Sequence, residues 1–124
     1  MADRPDWDPF RALSHQVLRA GAPLVLTEDV RALLLRTAKE VAIRDAQAAL
    51  ATESGAMELL RESARRITDG SNRLTDALHV MWRLQREGDF DSARQQMRDV
   101  LAVEVVPYYR DLAQGQLDDM MDDP

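Results

Sequence analysis

Two histidines, one serine beside a histidine and a scatter of carboxylates are the groups from which this 124-residue chain would have to assemble a reaction centre. Ser14 and His15 are adjacent, and neighbours on a helix point about 100° apart, so they do not form a nucleophile–base contact. Asp76 and His79 stand three apart and would share a helix face, the spacing of one half of a carboxylate-bridged metal site. Glu104, the only acid among the apolar positions of the last segment, would be a further ligand, but no second half-site exists to complete the set. Glu58 and Glu62 are one turn apart. Arg61, Arg65 and Arg66 surround them, so that group reads as a solvated charged face. No GxxxxGK[ST], GxGxxG, HExxH or GxSxG pattern occurs. The expectation is a non-enzymatic protein with no cofactor and no metal.

Nucleic-acid binding has one thin lead. Residues 37–60 order a helix, a short connector and a helix, with Ala38, Val41, Ala49 and Leu50 loosely in helix-turn-helix phase. Ile43-Arg44-Asp45 stands where a turn glycine belongs, and Ala46-Gln47-Ala48-Ala49-Leu50-Ala51 brings no Arg or Lys to bases or phosphates. A DNA-contacting regulator is the alternative reading, and the charge balance argues against nucleic acid as a partner.

Protein binding has better support. Trp82 and Arg83 fall off the Leu78–Met81 seam of a long helical segment, with Arg86 one turn on; Tyr108 and Tyr109 are adjacent, so one should face outward, with Arg110 beside it. Trp, Tyr and Arg dominate binding hot spots. Trp82, Arg83, Arg86, Tyr109 and Arg110 are therefore the expected protein-contact residues. The partner is another protein of unknown identity, and self-association is a variant of the same reading. Trp7 is expected to staple the amino terminus to the fold.

The elements that would carry these residues are helical. Asp8-Pro9 reads as N-cap and first position of helix one, about residues 9 to 20, with Gly21 as its stop. Pro23 interrupts the chain, and Thr27 caps helix two, whose stripe is Val30, Leu33, Leu34, Thr37, Ala38 and Val41. Asp45 can cap a short helix through Leu50. From Ala56 the positions Leu60, Ala64, Ile67, Ser71, Leu74, Leu78, Met81 and Gln85 keep phase past Gly70, predicting one long helix to about residue 87. Gly88-Asp89 is a stop followed by a cap. The last helix places Phe90, Ala93, Met97, Val100, Leu101, Val105, Tyr108 and Leu112 on its core face, with a kink at Pro107. The sum is an all-α antiparallel bundle of four main helices plus one short helix, with a long third and a kinked last helix.

Composition agrees. Hydrophobic residues make up 45% and charged ones 31%, as in globular proteins, and no apolar run could span a membrane. The first residues are acidic and polar where a secretory leader would be basic and then apolar, and cysteine is absent, so a cytoplasmic protein is expected. The net charge is −6, of which four carboxylates lie in 118–124. One domain over 1–117 and an acidic, disordered tail at 118–124 follow. Fifteen of the 16 basic residues are Arg, a bias suited to ion-pair networks and interfaces.

Several blocks carry a family likeness: Gly21-Ala22-Pro23-Leu24, Leu26-Thr27-Glu28-Asp29-Val30-Arg31-Ala32-Leu33-Leu34 and Arg66-Ile67-Thr68-Asp69-Gly70-Ser71. With Asp76-Ala77-Leu78-His79, Gly88-Asp89 and the stretch from Ala93 to Tyr109 including Val103-Glu104-Val105-Val106-Pro107, the chain resembles the DUSAM-domain family. That resemblance implies a small bacterial protein from a set of paralogues and brings no catalytic or ligand residues with it. Diverging paralogues are consistent with varying protein partners, as for an adaptor, an inhibitor or an immunity protein.

Overall fold

A computed structural model describes residues 4–121, and every regular element in them is helical. The described residues fall into two compact units, Arg4–Ile67 and the segment from Thr68 onward. One long helix runs through the boundary.

In the first unit, α1 spans Asp8–Ser14 and widens into a π-helical turn over His15–Arg19, where the Ala20 amide donates to the His15 carbonyl at 3.0 Å. The start lies one residue earlier than Asp8-Pro9 suggested. Trp7 is the N-cap, and Asp6 Oδ1 accepts from the Asp8 amide at 3.2 Å. Gly21, at φ +75°, ends the helix as expected, with the Ala22 amide closing back on the Gln16 carbonyl at 2.9 Å. Trp7 and Phe10 are buried.

Helix α2 spans Glu28–Glu40 and is capped as its sequence dictates, Thr27 Oγ1 accepting from the Val30 amide. Leu34, Thr37, Ala38 and Val41 are buried, and the Thr37 hydroxyl donates to the Leu33 carbonyl at 2.8 Å. Helix α3 is a single turn, Ala46–Ala49. Asp45 precedes it in the left-handed region, φ 61°, and its side chain makes no capping bond there.

Helix α4 spans Glu53–Arg86, 34 residues without interruption. Thr52 Oγ1 accepts from the Gly55 amide at its start. The helix is not broken at Gly70, as the unbroken register predicted. Its buried line is Ser63, Ile67, Gly70, Leu74, Ala77 and Met81, alternating steps of four and three. Leu60, Ile67, Leu74 and Met81 are buried as the apolar pattern placed them, whereas Ala64, Ser71 and Leu78 are half-buried beside the buried Ser63, Gly70 and Ala77, and Gln85 is half-buried. Gly70 is on the buried side because the Tyr109 ring packs directly against its backbone, leaving no room for a side chain.

In the second unit, Gly88 at φ +81° ends α4, and Asp89 Oδ1 accepts from the Ser92 amide at 3.1 Å. Helix α5 spans Phe90–Val103 and α6 spans Pro107–Met121. These two replace the single kinked helix expected over this stretch. Glu104 is extended (ψ 134°), Val106 is the residue before a proline and so disfavours helix, and Pro107 has no N–H to lose at a first helical position. The restart changes the face: Val106, Tyr109 and Ala113 are buried, while Val105 and Leu112 are exposed and Tyr108 is half-buried. Phe90, also expected in the core, is 37% exposed.

Helices α5 and α6 pack antiparallel. Arg94 near the start of α5 reaches the Met120 carbonyl at the end of α6. The segment expected to be a frayed acidic tail is therefore helical through Met121, and Met120 is buried; the remaining residues of that tail lie outside the described residues.

Candidate functional site

The face of α4 opposite its buried line carries His79, Trp82, Arg83 and Arg86, spaced i, i+3, i+4 and i+7, and all four are exposed. The His79 ring meets the Trp82 ring edge-on, with centroids 5.9 Å apart and planes at 81°. Trp82 remains 44% exposed. Arg83 lies 4.0 Å from Glu87 with both side chains mostly in water, a weak surface pair. Three of the five expected contact residues thus share one stripe with a histidine that sequence reasoning had considered only as a metal ligand.

The other two are used internally. Tyr109 is buried at 5% exposure and its ring lies against Gly70, so it is not an outward-facing aromatic. Arg110 donates to the carbonyls of Leu101 (2.6 Å) and Glu104 (2.8 Å), closing the carboxyl end of α5. Tyr109, expected to face outward, turns inward because the helix breaks after Val103 and restarts at Pro107 with a different face buried.

Glu104 is likewise committed. Its side chain is 1% exposed; Oε1 accepts from Arg73 at 2.7 Å, and Oε2 accepts from the amides of Val105 and Val106 at 3.0 Å each. The structure does not group it with Asp76 and His79, and among the described residues no cluster of three His or acidic side chains is placed to hold a metal ion. The segment read as a recognition helix is the one-turn α3, Ala46–Ala49.

A family model described as "Protein of unknown function (DUF2379)" matches residues 5–120. The chain belongs to this family. The match spans nearly the whole chain and is consistent with the DUSAM-type resemblance seen in its sequence blocks. No curated protein and no solved structure matches it.

A use of arginine that composition could not locate recurs along this chain. Arg66 donates to the carbonyls of Val41 (2.9 Å) and Ala42 (3.0 Å) at the end of α2, and Arg31 to that of Leu50 after α3 (3.4 Å). Arg94 closes α6 and Arg110 closes α5. Four helix ends whose last carbonyls lack intrahelical donors are each met by a guanidinium, which also suits the negative pole of the helix. Arg66 is itself held by Glu62 (2.9 Å), which also accepts from Arg65. The Arg66 hydrogen bond, followed by that from Arg65, lowers the Glu62 pKa from its usual 4.5. Among the described residues no helix is long and apolar enough to cross a membrane.

Proposed function

We propose that this protein is a non-enzymatic, cytoplasmic helical module that binds another protein through the Trp82–Arg83–Arg86 stripe of α4, extended by His79. One observation carries the reading: an aromatic ring 44% exposed, flanked at helical spacing by two arginines, on the exposed face of α4. Trp and Arg contribute most when a partner desolvates them, and side chains on a regular helix are presented with less ordering cost than on a loop. Tyr109 and Arg110 support the fold behind the surface and take no part in the contact. Cytoplasmic placement rests on the cysteine-free, charge-rich composition.

The test is affinity purification from native cells with the intact chain, its Trp82→Ala variant and its Arg86→Glu variant. A co-purifying protein retained by the native chain should be lost by both variants, with unchanged far-ultraviolet dichroism. Retention of that protein by both variants would show that the stripe is not the contact. Sedimentation of the purified chain alone separates a foreign partner from self-association.

A further inference from the structure

A second surface lies on the other flank of α4. Arg73, Asp76, Ala77 and Val80 of α4 face Gln96, Asp99, Val100 and Val103 of α5 across an open groove of about 400 Å³, wholly within the second unit. Its floor is aliphatic: Ala77 and Val100 are nearly buried, Val80 is half-buried and Val103 is 59% exposed. A groove this open cannot enclose most of a small molecule's surface, which is what ligand pockets do. It can receive a row of side chains from one side.

The charges at its rim decide which row. Arg73 is already matched by Glu104 at 2.7 Å. Asp76 and Asp99, one on each wall and both exposed, therefore set the sign at the rim. Asp99 accepts one hydrogen bond from Gln95 along its own helix, which leaves its charge uncompensated. The surroundings reinforce the sign: residues 68–121 hold six basic and ten acidic side chains, against ten and nine in residues 4–67. Lysine and arginine are the side chains that lay an alkyl stem on an apolar floor and carry a cation to a carboxylate rim.

We propose that the α4–α5 groove docks a basic amphipathic helix of a partner protein, with aliphatic side chains on Ala77, Val80, Val100 and Val103 and a lysine or arginine between Asp76 and Asp99. This surface is separate from the Trp82 stripe and stands or falls independently of it. Binding of this kind is steered by charge and weakens with salt.

The probe is a fluorescein-labelled synthetic helix with Leu and Lys at helical spacing, titrated with the full-length protein and followed by anisotropy. A matched Leu/Glu helix is the control. The Lys helix should bind at least about tenfold more tightly than the Glu helix, because two rim carboxylates attract one and repel the other. The double reversal Asp76→Arg/Asp99→Arg should abolish that preference. Val103→Glu, at a site already mostly in water, should weaken binding while the dichroism is unchanged. Asp111→Arg, an acidic site outside the groove, and Trp82→Ala should both leave it intact. Absence of binding, equal binding of the two helices, or equal losses from Asp111→Arg and the rim reversal would overturn the proposal. A concentration-dependent dimer broken by Val103→Glu would also overturn it, by assigning the groove to a second copy.

Discussion

Arg73 and Glu104 form an ion pair at 2.7 Å in which the carboxylate is almost completely buried and the guanidinium is about one-third exposed. The pair joins α4 to the corner between α5 and α6. Glu104 simultaneously receives two backbone amides of that corner, so one side chain both anchors the break and satisfies its donors. Replacing Glu104 by Ala strands all three donors. Because Arg73 keeps access to water, the loss should be about 2–3 kcal/mol, below that of a fully buried pair. Glu104→Gln retains an acceptor and should cost about half as much; urea unfolding of the two variants distinguishes charge from hydrogen bonding.

Two helical glycines should respond to alanine with opposite sign. A β-carbon on Gly70 would lie 2.6 Å from Cε2 of Tyr109, and 2.9 Å from the Glu104 carboxylate. Both neighbours are buried, so Gly70→Ala should destabilise by about 1–3 kcal/mol through overpacking. Gly115, exposed on α6, has nothing within 4 Å of the equivalent position, and Gly115→Ala should stabilise by about 0.5–1 kcal/mol through helix propensity. Thermal unfolding midpoints moving the same way for both would contradict this account of Gly70.

The arginine clamps predict that charge alone is insufficient. Arg66→Lys and Arg110→Lys each keep the cation but lose the planar guanidinium whose Nη1 donates to both carbonyls from one fixed position. Each should cost about 1 kcal/mol in urea unfolding. Arg83→Lys, on an exposed 4.0 Å pair, should change stability by less than about 0.5 kcal/mol.

Glu62 gives the stability curve an acid-side signature. Its folded-state pKa lies below the usual 4.5, first because of the Arg66 hydrogen bond and then that of Arg65. A lowered carboxylate pKa means that the unfolded chain binds the proton more readily, so the contribution is complete above the unfolded value and disappears as pH falls through the folded one. The native chain should therefore exceed Glu62→Gln by a constant small margin, about 0.5–1 kcal/mol for a largely solvated cluster, at and above pH 6. The margin should close on acidification below about 4.5. A margin independent of pH down to acid unfolding would remove Glu62 ionisation as its cause.

The local rules were written plainly. Thr27, Asp89, Gly21 and Gly88 terminate helices as their side chains or backbone freedom require, and the survival of register across Gly70 correctly indicated one continuous α4. Trp82 and Arg83 were legible as outward-facing because they fall off a long, unbroken stripe. Periodicity assumes continuity, and it failed where continuity failed: the restart at Pro107 moved Tyr109 inward and Val105 outward.

Helix content, the four well-signalled ends and the exposed stripe of α4 are thus consequences of short-range chemistry that the chain carries within a few residues of each position. Tertiary contact alone decided that Glu104 would pair with Arg73 across 31 residues, that Gly70 would receive the Tyr109 ring, and that arginines far along the chain would close the ends of α2 and α6. Each of these depends on which surfaces meet. A carboxylate, a glycine and a guanidinium are compatible with many neighbours, and only the folded chain selects one.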